Sequence, residues 1–191
     1  MALDQDILDA ISRHVRGGFE TAADIVRIVI ETVDEGETVD RDEVDAVVAA
    51  AFRSRRRAQA GWPAVTDCDR LDAAFAALNA SGVIALHYAG YTQSDGYDEV
   101  VAAFDALDDP RQAIGYCFYH GQDLERAVDD GGLRLAFGPI DPAREDDEGP
   151  RIGRMVVDAL AAAGLESAWN GSFRQRIDIP RIDWKRRGDP R

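Results

Sequence analysis

Cysteine is nearly missing from this sequence: Cys68 and Cys117 are the only two in 191 residues. Two thiols are too few for a disulfide framework or a self-contained zinc site. Lysine is rarer still, with Lys185 alone and every other basic residue an arginine. That bias, with abundant Ala and Asp, fits high-GC coding or adaptation to salt better than a functional signal. No run of about 18 apolar residues occurs, so no membrane-spanning helix is expected. The N-terminal stretch MALDQDILDAISRHV carries acids where a secretory signal needs cations. A bacterial cytoplasmic protein is the expectation. The phosphate-loop, GxSxG and HExxH patterns are all missing. No cofactor is expected.

What is present is acid, and it is unevenly placed. Residues 1–60 hold 13 acids against 8 bases and residues 61–165 hold 19 against 7, whereas 166–191 hold 4 against 7. A body this acidic repels phosphate backbones, which argues against nucleic acid as a partner. The run Arg53 to Arg57 is the exception, and it suits the C-terminal end of a helix.

The periodicity changes along the chain. Residues 1–60 show helical spacing in three stripes: Ile7, Leu8, Ile11, Val15; then Ile25, Ile28, Val29, Val33; then Val44, Val47, Val48, Ala51. Gly36 is placed to stop the second and Asp40 to cap the third. GWPAV (61–65) reads as a linker. Beyond it come a helix from Thr66, a strand at 83–87, a polar loop at 88–96 and a helix over 97–107. A strand at 113–120, a short helix at 122–129 and a strand at 133–138 follow. The acidic loop DPAREDDEGP then leads to a helix over 151–163, and ESAW with FRQRIDI forms a hairpin at Asn170-Gly171. The expected fold is α+β or α/β. Helices cover a mixed sheet of about five strands in residues 66–187, preceded by a helical module over residues 1–60.

Residues 115–127, GYCFYHGQDLERA, concentrate a thiol, phenols, an imidazole and carboxylates. On a strand, Tyr116, Phe118 and His120 share one face and Cys117 and Tyr119 the other. If the strands at 83–87 and 113–120 form a right-handed β-α-β unit, their C-terminal ends lie on one sheet edge, where ligands bind in open sheets. His87 and His120 terminate those strands, and the loop with Tyr91, Ser94 and Asp95 leaves the same edge. With Gln122 and Asp123 these residues form the candidate cleft. Two imidazoles and a carboxylate could serve acid-base chemistry or, with Asp95 and Asp123, ligate a metal, but no spacing is specific to either, and structural or surface histidines are the favoured reading. In the C-terminal hairpin, alternation puts Phe173, Gln175, Ile177 and Ile179 on one face. Arg174, Arg176 and Asp178 lie on the other, facing the acidic body of the chain.

TDCDRLDAAFAAL (66–78), GYCFYHGQDLERA (115–127), LRLAFG (133–138) and AWNGSFRQRIDI (168–179) occur in this order, and the set resembles a family of uncharacterised bacterial proteins classed as a domain of unknown function. The resemblance spans roughly residues 60 to 187 and implies no activity or substrate. It also implies a CCxxCG-type loop after the first strand, where this chain has Tyr91, Thr92 and Asp95 in the cysteine places and matches at Gln93, Gly96 and Glu99. A thiolate metal or redox role is therefore not expected.

A non-catalytic module that binds another protein, as a regulator or a toxin-neutralising immunity protein, is the leading expectation. The alternative is a small-molecule enzyme or ligand-binding protein using the edge near His87 and His120. The shape of that sheet edge discriminates between them.

Overall fold

A computed structural model describes residues 3–32 and 39–187. Val33 and Gly36, the expected end of the second helix, lie outside the described residues. The chain divides into two compact units, Met1–Thr66 with Trp184–Arg191, and Asp67–Asp183.

The first unit contains α1 (Gln5–Gly17), α2 (Ala22–Thr32) and α3 (Arg41–Gln59). Asp4 and Asp40 begin α1 and α3 by accepting the backbone N–H of Asp6 and Asp42, each at 3.0 Å. Gly18, at φ +83°, closes α1 in the left-handed conformation that glycine adopts at no steric cost. All three stripes contribute to one core, through Ile11 and Val15, Ile25 and Val29, and Val44 and Val48, joined by Val26 and Phe52, whereas Leu8 and Ile28 are only half-buried. The chain's last described residues return to this unit. The Trp184 indole donates to the Gly17 carbonyl at 3.1 Å. Arg55 donates to the Arg186 carbonyl at 2.8 Å, and Arg187 donates to that of Pro63. The Arg186 guanidinium lies 4.4 Å from the Phe19 ring centre. The tail thus brings cations beside Arg53 to Arg57, through carbonyls and an aromatic ring.

The second unit comprises α4 (Asp67–Ala80), β1 (Val83–Leu86), α5 (Gln93–Asp105), β2 (Gly115–Phe118), α6 (Gly121–Asp130), β3 (Leu133–Pro139), α7 (Glu145–Ala162) and β4 (Ile177–Ile179). The sheet order is β1-β2-β3-β4. β1 and β2 are parallel, with Leu86 opposite Phe118, and the other two pairings are antiparallel. Helices on a mixed sheet make this an α+β fold. One sheet face carries Ile84, Tyr116, Phe118 and Ala136, which pack with Val100 of α5. On the other, Gly153 of α7 lies against Phe137 and Trp169, too close for any side chain.

Three elements differ from the periodicity. Helix α5 begins at Gln93 rather than near 97, because Thr92 and Asp95 form a capping box. Helix α7 begins at Glu145, so the acidic run is its first turn, where carboxylates suit the helix dipole. The hairpin is not a two-residue turn. Its first strand shrinks to a single bridge between Ala168 and Asp178. The Trp169 indole N–H donates to the carbonyls of Ser172, at 2.9 Å, and Gln175, at 3.2 Å, within a broad loop, and the sheet has four strands among the described residues.

Candidate functional site

The parallel pairing of β1 and β2 puts His87 and His120 just beyond the same edge of the sheet, and there they enter different networks. His87 follows β1 and turns towards α4. Its ring stacks on Phe75, with centres 4.3 Å apart. Nδ1 lies 3.1 Å from the Tyr119 hydroxyl and Nε2 lies 3.2 Å from the Asp72 carboxylate. The ring is held at both nitrogens and on one face.

His120 caps α6 and is 5 % exposed. Its Nε2 is 3.0 Å from Asp123 Oδ2, which also accepts the His120 backbone N–H at 3.3 Å. The same carboxylate oxygen receives the guanidinium of Arg176, whose Nη2 also donates to the Arg134 carbonyl at 2.9 Å. A buried carboxylate is thereby matched by a cation from 53 residues away. Burial pushes His120 below the ordinary imidazole value, Asp123 opposes that shift and Arg176 adds to it. The neutral ring with its hydrogen on Nε2 fits this geometry. Among the described residues, His120 Nδ1 and Arg176 Nε have no hydrogen-bond partner. Burial also raises the neighbouring Cys117 thiol well above its usual range, so it is not an activated nucleophile.

The loop between β1 and α5 closes the edge. Ala89 donates to the Tyr119 carbonyl at 2.9 Å. The first-turn N–H groups of α6 are met by that loop's own carbonyls, Gly121 to Gly90 at 2.9 Å and Gln122 to Tyr91 at 3.2 Å. Asp95 accepts from Thr92 N at 2.8 Å and Tyr91 N at 3.2 Å, and these bonds, those of Thr92 foremost, hold its carboxyl below the usual carboxylate range. Glu99 accepts from Gly90 N at 2.8 Å. The Tyr91 ring packs on Gly121, where even a methyl group would collide with it.

Of the sequence candidates, Tyr91, Asp95, His120, Gln122 and Asp123 come together around this loop and the start of α6. Ser94 is exposed in the first turn of α5, and His87 joins α4 instead. Helical phase aims Phe75 inward from α4, but the spacing gives no sign that it stacks on His87 or that Asp72 joins it, and nothing local joins Arg176 to Asp123. Two clefts, of about 340 and 610 Å³, lie at the opposite, N-terminal ends of β1 and β2 and share Ala113. Among the described residues, no three His, Cys, Asp or Glu side chains are grouped to hold a metal ion, and no helix is long and apolar enough to cross a membrane.

These features define a three-helix unit and an α+β unit, the latter with a polar sheet edge cross-tied by its own side chains and loop. The chain belongs to the family described as Domain of unknown function (DUF6891), whose model matches residues 2–188. The match includes the N-terminal helices, beyond the span of the sequence resemblance. No curated protein and no solved structure matches the chain.

Proposed function

We propose that this protein is a cytoplasmic, non-catalytic module that binds another protein, in a regulatory or immunity-like role. The observation that carries the reading is the way the polar sheet edge is used. A catalytic edge leaves its imidazole nitrogens and helix N–H groups facing a substrate-sized cavity. Here the Gly121 and Gln122 N–H groups are met by loop carbonyls, the His87 nitrogens by Tyr119 and Asp72, and His120 Nε2 by Asp123, while His120 Nδ1 is buried and lines neither of the two clefts. Exposed apolar side chains occur instead on α5, in a strongly acidic setting.

The test is affinity purification of the full chain from its native host, paired with a screen of the same extract's metabolites for turnover. A discrete protein retained in near-equal amount, by the wild type and by His120→Gln alike, supports the reading. Turnover of a metabolite that His120→Gln abolishes contradicts it and restores the edge as an active site.

A further inference from the structure

Resting on that protein-binding reading, we propose that the exposed face of α5 docks a basic, amphipathic segment of the partner. Four large apolar side chains are exposed within residues 91–107: Tyr91 at 51 %, Tyr97 at 39 %, Val101 at 57 % and Leu107 at 39 %. Tyr97 and Val101 are one turn apart on α5 and therefore neighbours. Tyr97 is also rigid. Its ring meets Tyr116 and Phe118 edge-on, with centres 5.7 and 5.3 Å away, and its hydroxyl accepts from Gln93 Nε2 at 2.9 Å. A half-exposed tyrosine fixed against the core presents apolar area with little entropy left to lose, as interface anchors do.

Charge identifies the occupant. Residues 93–109 contain Asp95, Asp98, Glu99, Asp105, Asp108 and Asp109 and no Lys, Arg or His. Asp95, Glu99 and Asp109 hold the local backbone or Arg111. Asp98 and Asp105 are exposed and lie three residues before and four after Val101, which puts both carboxylates along one side of the apolar stripe. The surrounding unit has 22 acids against 10 bases. The 610 Å³ cleft begins at the end of α5 with Leu107, Asp108 and Asp109, an apolar wall beside carboxylates that suits the stem and head of a Lys or Arg side chain. An acidic partner would meet like charge along the whole helix. A segment alternating apolar residues with Lys or Arg matches both features.

The test uses the full chain, isotopically labelled, titrated with a short amphipathic leucine–lysine peptide and separately with its leucine–glutamate counterpart. Backbone NMR shifts should map to residues 91–109 for the lysine peptide and be absent for the glutamate peptide. Asp98→Lys with Asp105→Lys, and separately Val101→Glu, should each weaken binding at least about tenfold, equivalent to about 1.4 kcal/mol. Both changes are at exposed helix positions, so unchanged circular dichroism is expected to confirm folding. Added salt should weaken binding by the wild type more than by the lysine variant. Shifts centred on the acidic start of α7, or no binding, overturn the docking face while leaving protein binding itself open. A free protein that dimerises through Val101, as shown by sedimentation, makes a second copy the occupant and also overturns it.

Discussion

Arg176 and Arg174 are two residues apart, and strand alternation assigns both to the same solvated face. Their environments differ. Arg174 reaches Asp146 at 3.7 Å with both side chains more than four-fifths exposed. Arg176 pairs with Asp123, whose side chain is 6 % exposed. The exposed pair should contribute almost nothing. Removing Arg176 leaves a buried carboxylate matched only by His120. Arg176→Ala should therefore destabilise by about 2–3 kcal/mol, somewhat below the usual 3–5 kcal/mol because the arginine is partly exposed. Urea denaturation of the two alanine variants decides the order. Equal small losses would mean that Asp123 is adequately held without its cation.

His120 supplies a pH dependence of definite sign. Its folded pKa is lowered from 6.5, chiefly by burial, so the unfolded chain binds the proton more readily. Its contribution is complete above pH 6.5 and declines as the pH falls towards the lowered folded value. His120→Gln should flatten the stability profile in that window, measured as urea midpoints at successive pH values. An unchanged slope would assign the acid sensitivity to other groups.

At the scale of elements, phase was legible and ends were less so. The inner face of α4 and most of the N-terminal stripes follow from periodicity, since each buries a regular set of apolar residues, and the parallel β1–β2 pair follows from the helix that connects the two strands. The start of α5 was hidden because Tyr91 to Gly96 is polar throughout, although Thr92 and Asp95 have capping-box spacing. The start of α7 was hidden because four successive acids look like loop, yet they stabilise a helix N-terminus. The candidate site was half legible. Chain order gathers Tyr91, Asp95, His120, Gln122 and Asp123, but separating His87 from them needs the tertiary contacts to Asp72 and Phe75. Gly96 gives a check on how closely α5 sits. A methyl group there would collide with the Phe118 ring. Gly96→Ala should destabilise by roughly 1–3 kcal/mol despite the helix preference of alanine, because the core must move. A stabilised variant in thermal melts would mean that α5 stands further from the sheet.

At the scale of the whole molecule, charge and chain order combine. The first unit carries 14 acids against 12 bases, and the second carries most of the net −14. The last residues complete the three-helix unit through Trp184, Arg186 and Arg187, a return that no local pattern signals. Trp184→Ala should loosen α1 to α3 by about 2 kcal/mol, less than a fully buried tryptophan because the ring is half-buried. Hydrogen exchange across those helices should accelerate, with trypsin cutting sooner among Arg53 to Arg57. Unchanged exchange would show that the tail is an accessory to that unit.

Protein binding through α5 is tested most directly by placing a photo-crosslinking amino acid at Val101 in the native host, with Ala161, an exposed position of α7, as the control site. A docking face at α5 predicts one discrete crosslinked protein from position 101 and none from position 161. No crosslink at 101, or the same product from both sites, would contradict it.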